Sequence, residues 1–114
     1  MATDAQKNLI KVAKRSDLPE GTMRSFDVNG KRILIANVAG KYYAIGAICK
    51  HAEWDLAEGT LDGYKVECLG HGAVWDLRDG TAEFQEDLPR EPVYEVLVNG
   101  EYILVNPEPI SGNE

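Results

Sequence analysis

The chain has few residues that carry sulfur or imidazole: two cysteines, two histidines and two methionines in 114 residues. That scarcity excludes a disulfide-stapled scaffold, which small secreted domains build from four or more cysteines. A basic surplus is also missing. Twelve Lys and Arg face nineteen Asp and Glu, a formal charge of −7. Nucleic acid is therefore excluded as a partner, because phosphate binding needs a basic surface. No apolar run approaches the roughly 20 residues of a membrane span. The opening MATDAQKNLIKVAKRSD has no apolar stretch behind a basic start, so no secretory signal is expected. With no cysteine to spare, a reducing cytoplasmic setting fits. No stretch of eleven or more residues holds a helical apolar period, and a chain of this length is expected to form one domain.

The few cysteines and histidines are not scattered. They fall into Cys49-x-His51 and Cys68-x-x-His71, with sixteen residues between the two clusters and no other Cys or His in the chain. Two thiolates and two imidazoles form a complete ligand set for a metal centre. Gly70 and Gly72 let the second loop bend sharply and bring backbone N–H groups close to bound sulfur. Two centres fit these ligands. One is a mononuclear structural zinc. The other is a [2Fe–2S] cluster with one iron on the thiolates and the other on the imidazoles.

Around the clusters the chain reads as short strands separated by turns. Leu9–Ala13 is a first strand and Asp17–Gly21 a turn. Met23–Val28 and Lys31–Val38 flank Asn29-Gly30, a strong hairpin signal, and Ala39–Lys41 turns into Tyr42–Ala47. Val93–Val98 and Glu101–Val105 flank a second Asn-Gly, at Asn99-Gly100. The imperfect alternation of residues 93–98 suggests strands buried on both faces. The fold class expected is all-β, a small antiparallel sandwich or barrel. Residues 48–83 stand apart as a module with an internal repeat: Trp54-Asp-Leu-Ala-Glu-Gly-Thr60 follows the first cluster and Trp75-Asp-Leu-Arg-Asp-Gly-Thr81 the second. Both tryptophans are expected in the core, with Leu56 and Leu77 beside them. From Cys49 to Gly80, seven acids against three bases leave −4, a concentration of negative charge around the site.

The segment CKHAEWDLAEGTLDGYKVECLGHGAVWDLRDG resembles the cluster-binding segment of the Rieske-type ferredoxins. The resemblance is carried by CxH, Leu56, Glu58-Gly59, the CxxH loop with Gly72, Trp75-Asp76 and the closing Gly80. It implies a Rieske-like fold over residues 1–114, with a basal β subdomain from 8–47 and 84–107 and a cluster-binding subdomain from 48–83. It implies a [2Fe–2S] cluster with Cys49 and Cys68 on the inner iron and His51 and His71 on the outer one. The function implied is soluble one-electron carriage by a monomer, from an NAD(P)H-dependent flavin reductase to a terminal oxygenase or other oxidoreductase, docking through basic partner surfaces. A small redox subunit of a reductase complex and a zinc-stabilised interaction module are the alternatives. Lys50 and the Leu69-Gly70 pair depart from the family's usual residues, and Ala73 stands where high-potential relatives carry a serine. Without that hydroxyl the potential is expected toward the low end of the Rieske range of about −150 to +300 mV, and pH-dependent where the unligated imidazole nitrogens titrate. Pro89 and Pro92 are expected either to close over the cluster or to form a rigid strand connection. With both histidines committed, no mononuclear-iron site remains, so catalysis on this chain is not expected.

Overall fold

Strand β3 (Lys31–Val38) organises the molecule because both of its faces are buried. In the computed structural model, which describes residues 9–49, 54–70 and 72–110, Ile33 and Ile35 pack into one apolar group and Leu34 and Ala36 into another. A continuous apolar run is what a doubly covered strand requires. Strands β1 (Ile10–Lys14), β2 (Met23–Val28), β4 (Lys41–Gly46), β5 (Thr60–Asp62), β6 (Lys65–Glu67), β7 (Val74–Asp76), β8 (Ala82–Glu83), β9 (Val93–Tyr94), β10 (Val96–Asn99) and β11 (Tyr102–Val105) complete an all-β fold.

Three antiparallel sheets result: β2-β3-β4-β9, β1-β11-β10 and β5-β6-β7-β8. The first group joins Ile33, Ile35 and Ala44 to Leu18, Val28, Tyr94, Ile103 and Val105, so the β1-β11-β10 sheet covers one face of the central sheet. The second joins Leu34, Ala36 and Ile45 to Val66, Trp75 and Leu77, so the β5–β8 sheet covers the opposite face. Both cysteines belong to this second group.

The β2–β3 hairpin turns at Asn29 (φ 52°) and Gly30 (φ 81°), both in the left-handed region that a two-residue type I′ turn demands. The β3–β4 turn uses Ala39 (φ 55°) and Gly40 (φ 91°) in the same way. Asn37 braces it, accepting from the Gly40 amide at 2.9 Å and donating to the Leu18 carbonyl at 2.8 Å.

The segment expected as one strand over 93–98 is two. β9 pairs with β4, whereas β10 pairs with β11 in another sheet. The chain changes sheets at Glu95, whose carbonyl accepts from the Asn106 amide at 3.0 Å. That corner accounts for the imperfect alternation. Burial on both faces does not hold there, since Leu97 and Val98 are exposed.

Ala39 offers a test of the turn geometry. A left-handed non-glycine residue costs about 1–2 kcal/mol, and the extra chain entropy of glycine offsets about 0.5–1 kcal/mol of that. Ala39→Gly is expected to raise stability by about 0.5–1 kcal/mol. The change should appear as a higher urea midpoint at unchanged slope.

Candidate metal centre

Each cysteine is the first residue beyond the last paired residue of an antiparallel ladder. Ile48 bridges to Asp55, and the Cys49 amide donates to the Trp54 carbonyl at 2.7 Å. Glu67 pairs with Val74, and the Cys68 amide donates to the Ala73 carbonyl at 2.8 Å. The two loops are therefore equal in length and closed by the same bond, from the cysteine N–H to the carbonyl five residues ahead. In the second loop Gly72 has φ +81° and donates its amide to the Cys68 carbonyl at 3.1 Å.

Neither cysteine forms a disulfide and both are buried, Cys49 at 0% exposure and Cys68 at 2%. They share one apolar group with Leu56, Val66, Ala73, Trp75 and Leu77. Lys50, His51 and His71 lie outside the described residues, so the structure places two of the four expected ligands.

The sequence repeat corresponds to a repeat of geometry from its aspartate onward. Asp55 Oδ1 accepts from the Ala57 amide at 2.9 Å and Asp76 Oδ1 from the Arg78 amide at 2.8 Å. The following leucines, Leu56 and Leu77, are fully buried. The closing glycines are fixed by close approach: a Cβ on Gly59 would lie 1.9 Å from the Glu67 carbonyl oxygen, and one on Gly80 would lie 2.1 Å from that of Glu91.

The tryptophans break the repeat. Trp75 is fully buried, as expected, but Trp54 is 43% exposed and not a core residue. The reason is register. Trp54 closes its loop at the position Ala73 occupies in the other arm, whereas Trp75 lies two residues further on, inside β7. Trp75 carries an anomaly of its own. Its indole Nε1–H is buried with no acceptor among the described residues, a state that costs about 1–3 kcal/mol.

The two aspartates also anchor their arms differently. Asp55 Oδ2 accepts from Ser25 Oγ on β2 at 2.8 Å and from Arg32 Nε on β3 at 3.2 Å, tying the first arm to the central sheet. Arg32 also pairs with Asp27 at 3.1 Å. Asp76 stays within its own sheet, bonded by Arg78 Nη2 at 2.8 Å and Nε at 3.1 Å, with Lys65 Nζ at 3.9 Å. Lys65 in turn bonds Glu83. The Arg78 guanidinium holds the Asp76 carboxyl below its ordinary value, against the opposing effect of burial.

The proline segment joins the arms from below. The Glu91 amide donates to the Gly80 carbonyl at 2.9 Å, and the Gly46 amide to the Pro92 carbonyl at 2.9 Å. Pro89, Pro92 and the buried Glu91 line a groove with Ile48 and Cys49. The segment is thus both a strand connection and a wall beside the first cysteine. The Ser25–Asp55–Arg32 clamp has no signature in spacing, because its partners are far apart in sequence.

The arrangement fits a sulfur-ligated centre. Two buried thiolates carry a charge that an apolar interior does not tolerate without a cation, and the second loop supplies small residues and a flexible glycine around them. The sequence profile of the Rieske [2Fe-2S] domain matches residues 8–95. The ferredoxin component of biphenyl 2,3-dioxygenase from Rhodococcus jostii is 34% identical over 100 residues, covering 88% of this chain and 94% of that one. The ferredoxin of carbazole 1,9a-dioxygenase from Nocardioides aromaticivorans superposes with a TM-score of 0.83 at 30% identity, covering 89% of this chain and 99% of that one. A structure described as the complex of reduced oxygenase and oxidized ferredoxin in carbazole 1,9a-dioxygenase contains a chain with a TM-score of 0.84 at 30% identity, covering 90% and 96%.

Asp76 gives the site a defined acid response. Because its folded pKa is lowered from 3.8, its contribution to stability is complete above that value and is lost as pH falls through the lower folded value. Asp76→Asn, which keeps the acceptor for the Arg78 amide, lacks this contribution. The gap in urea midpoint between wild type and variant is expected to be constant above about pH 5 and to close below about pH 4. A gap unchanged down to about pH 2 would refute the assignment.

Proposed function

This chain belongs to the Rieske [2Fe-2S] domain family, and on that premise we propose that it is a one-electron carrier delivering electrons to a terminal oxygenase. The observation that carries this reading is the pair of matched loops, each presenting a buried cysteine outside any disulfide to one apolar group. In this proposal Cys49 and Cys68 hold one iron, His51 and His71 the other, and residues 48–83 form the cluster-binding subdomain over a basal unit of 8–47 and 84–107. The bound cluster supplies reversible uptake and release of a single electron.

The chain's own residues keep that uptake specific. Leu56, Val66, Ala73, Trp75 and Leu77 keep water from the sulfur side. The amide bonds from Cys49 and Cys68 fix where the thiolates sit. Apart from Cys68, the second loop presents no side chain among the described residues that can donate a hydrogen bond: Leu69, Gly70, Gly72 and Ala73 offer only backbone amides. That supports a potential in the lower half of the Rieske range.

Upstream, an NAD(P)H-dependent flavin reductase is the donor class that matches a one-electron acceptor of this kind, in a cytoplasmic setting. No helix among the described residues is long and apolar enough to cross a membrane. Glu58, Asp62, Glu67, Asp79, Glu83, Glu86 and Asp87 are exposed on and beside the cysteine arms, a surface suited to basic partner faces.

Two measurements test the reading. The purified protein is expected to be red-brown, to bleach with dithionite and to give a Rieske-type EPR signal after reduction. Its midpoint should lie in the lower half of the range of about −150 to +300 mV. A colourless protein with one zinc per chain would overturn the cluster, and a midpoint in the upper half would overturn the account of the second loop. The rate of reduction by a flavin reductase should fall steeply between low and about 0.5 M salt, where the screening length drops well below 10 Å. A salt-independent rate would remove the acidic surface from partner recognition.

A further inference from the structure

Among the described residues, Trp75 holds the one buried side-chain nitrogen or oxygen without a hydrogen-bond partner. Its indole is fully buried, and a buried indole N–H ordinarily finds a partner. Nε1 has none among the described residues. The buried residues grouped with it are Leu34, Ala36, Ile45, Ala47 and other aliphatic side chains together with the two cysteines. Apart from the thiols, Trp75 is the only buried member of that group whose side chain carries a hydrogen-bond donor.

The ladder places the Trp75 side chain on the face that also carries Cys68. Trp75 lies opposite Val66 in the β6–β7 pair. Side chains alternate along a strand, so Cys68 and Ala73, two residues further toward the loop on each strand, share the face of Val66 and Trp75. All four are buried, whereas Glu67, on the opposite face, is exposed. Cys68 is thus the diagonal neighbour of Trp75, within the reach of a long aromatic side chain. Cys49 enters the same group from the first arm.

We propose that Trp75 donates its indole N–H to a sulfur of the bound [2Fe–2S] cluster and thereby raises the centre's reduction potential. This rests on the cluster assignment above and goes beyond it by giving a named residue control of the potential. The proton stays on Nε1 throughout. One-electron reduction makes the sulfurs more negative, so a fixed N–H dipole stabilises the reduced state more than the oxidised one. Ala73, buried on the same face, has no hydroxyl to do this. The indole is then the side-chain donor that keeps the potential from falling further.

The test uses the full chain loaded with its cluster. The wild-type EPR signal comes first, and its absence would sink the cluster reading itself rather than this one. With the signal present, Trp75→Phe keeps an aromatic ring and removes the donor. At a fixed applied potential its ratio of reduced to oxidised protein is expected to fall about tenfold, equal to about 59 mV for one electron. Trp54→Phe should leave the ratio unchanged. An unaltered midpoint in loaded Trp75→Phe would overturn the proposal. Should that variant fail to hold the cluster, the Trp54→Phe protein grown with 15N-indole tryptophan decides, since Trp75 is then its only indole. An electron–nuclear coupling to that nitrogen and to an exchangeable proton is expected in the reduced state, and its absence would overturn the proposal.

Discussion

Two cysteine thiols kept from water, the ligands proposed for the cluster, are the constraint on which the rest of this structure depends. A thiolate in an apolar interior is tolerated only when a cation takes up its charge, and it is useful only if its position is fixed before the metal arrives. The fold meets the second requirement with backbone rather than side chains. Each cysteine follows directly on a paired ladder residue, and its amide is bonded to a carbonyl five residues ahead. Both loops therefore have their ends fixed by strand pairing. What is left is to bring the two ends together, and the two-faced strand β3 does so by giving the β5–β8 sheet an apolar surface to pack on.

The arms are alike in shape but not in attachment. The first returns to the central sheet through Asp55, which Ser25 and Arg32 hold from β2 and β3. The second has its aspartate held by Arg78 and Lys65 within the small sheet, so its link to the rest of the molecule runs through apolar packing and the proline segment. Glu91 is the joint there. Its amide bonds Gly80, its carbonyl oxygen approaches Gly80 so closely that a Cβ cannot fit, and its side chain is buried against Gly46. One polar clamp and one packed seam thus hold two similar loops, and mutations at the two aspartates act through different parts of the protein.

Much of this was legible in the sequence, and the parts that were not have identifiable causes. The Asn29-Gly30 hairpin is local chemistry, since only a few residues adopt two successive positive φ angles. The WDLx[E/D]GT repeat was readable because three of its letters act locally. The aspartate caps a turn, the leucine is buried and the glycine passes a carbonyl. The tryptophan preceding them has no such local role. Its fate depends on how many residues separate it from the cysteine, and the two arms differ in that number, so Trp54 is exposed while Trp75 is buried. The division of 93–98 between two sheets was hidden for a related reason. Alternation reveals which side chains share a face, but not that the face changes partner at Glu95. Arg32 and Ser25 meet Asp55 only through tertiary contact, which no spacing rule reports.

An electron carrier differs from an enzyme in what its fold must hold still. A catalyst needs space for a substrate and groups that titrate against it, whereas a carrier needs ligands that stay in place when charge arrives. The first loop is pinned at both ends, and the second is built from a leucine, glycines and an alanine over a buried apolar floor. Few of its described side chains can reorient in response to a change of charge. A loop held in place by backbone bonds lowers the cost of accommodating an electron, because little has to rearrange when the charge arrives. The same economy accounts for the distribution of charge. Glu58, Asp62, Asp79 and Glu83 are exposed on the arms, where solvent and salt screen them; the buried Glu91, which lines the groove beside Cys49, is the exception.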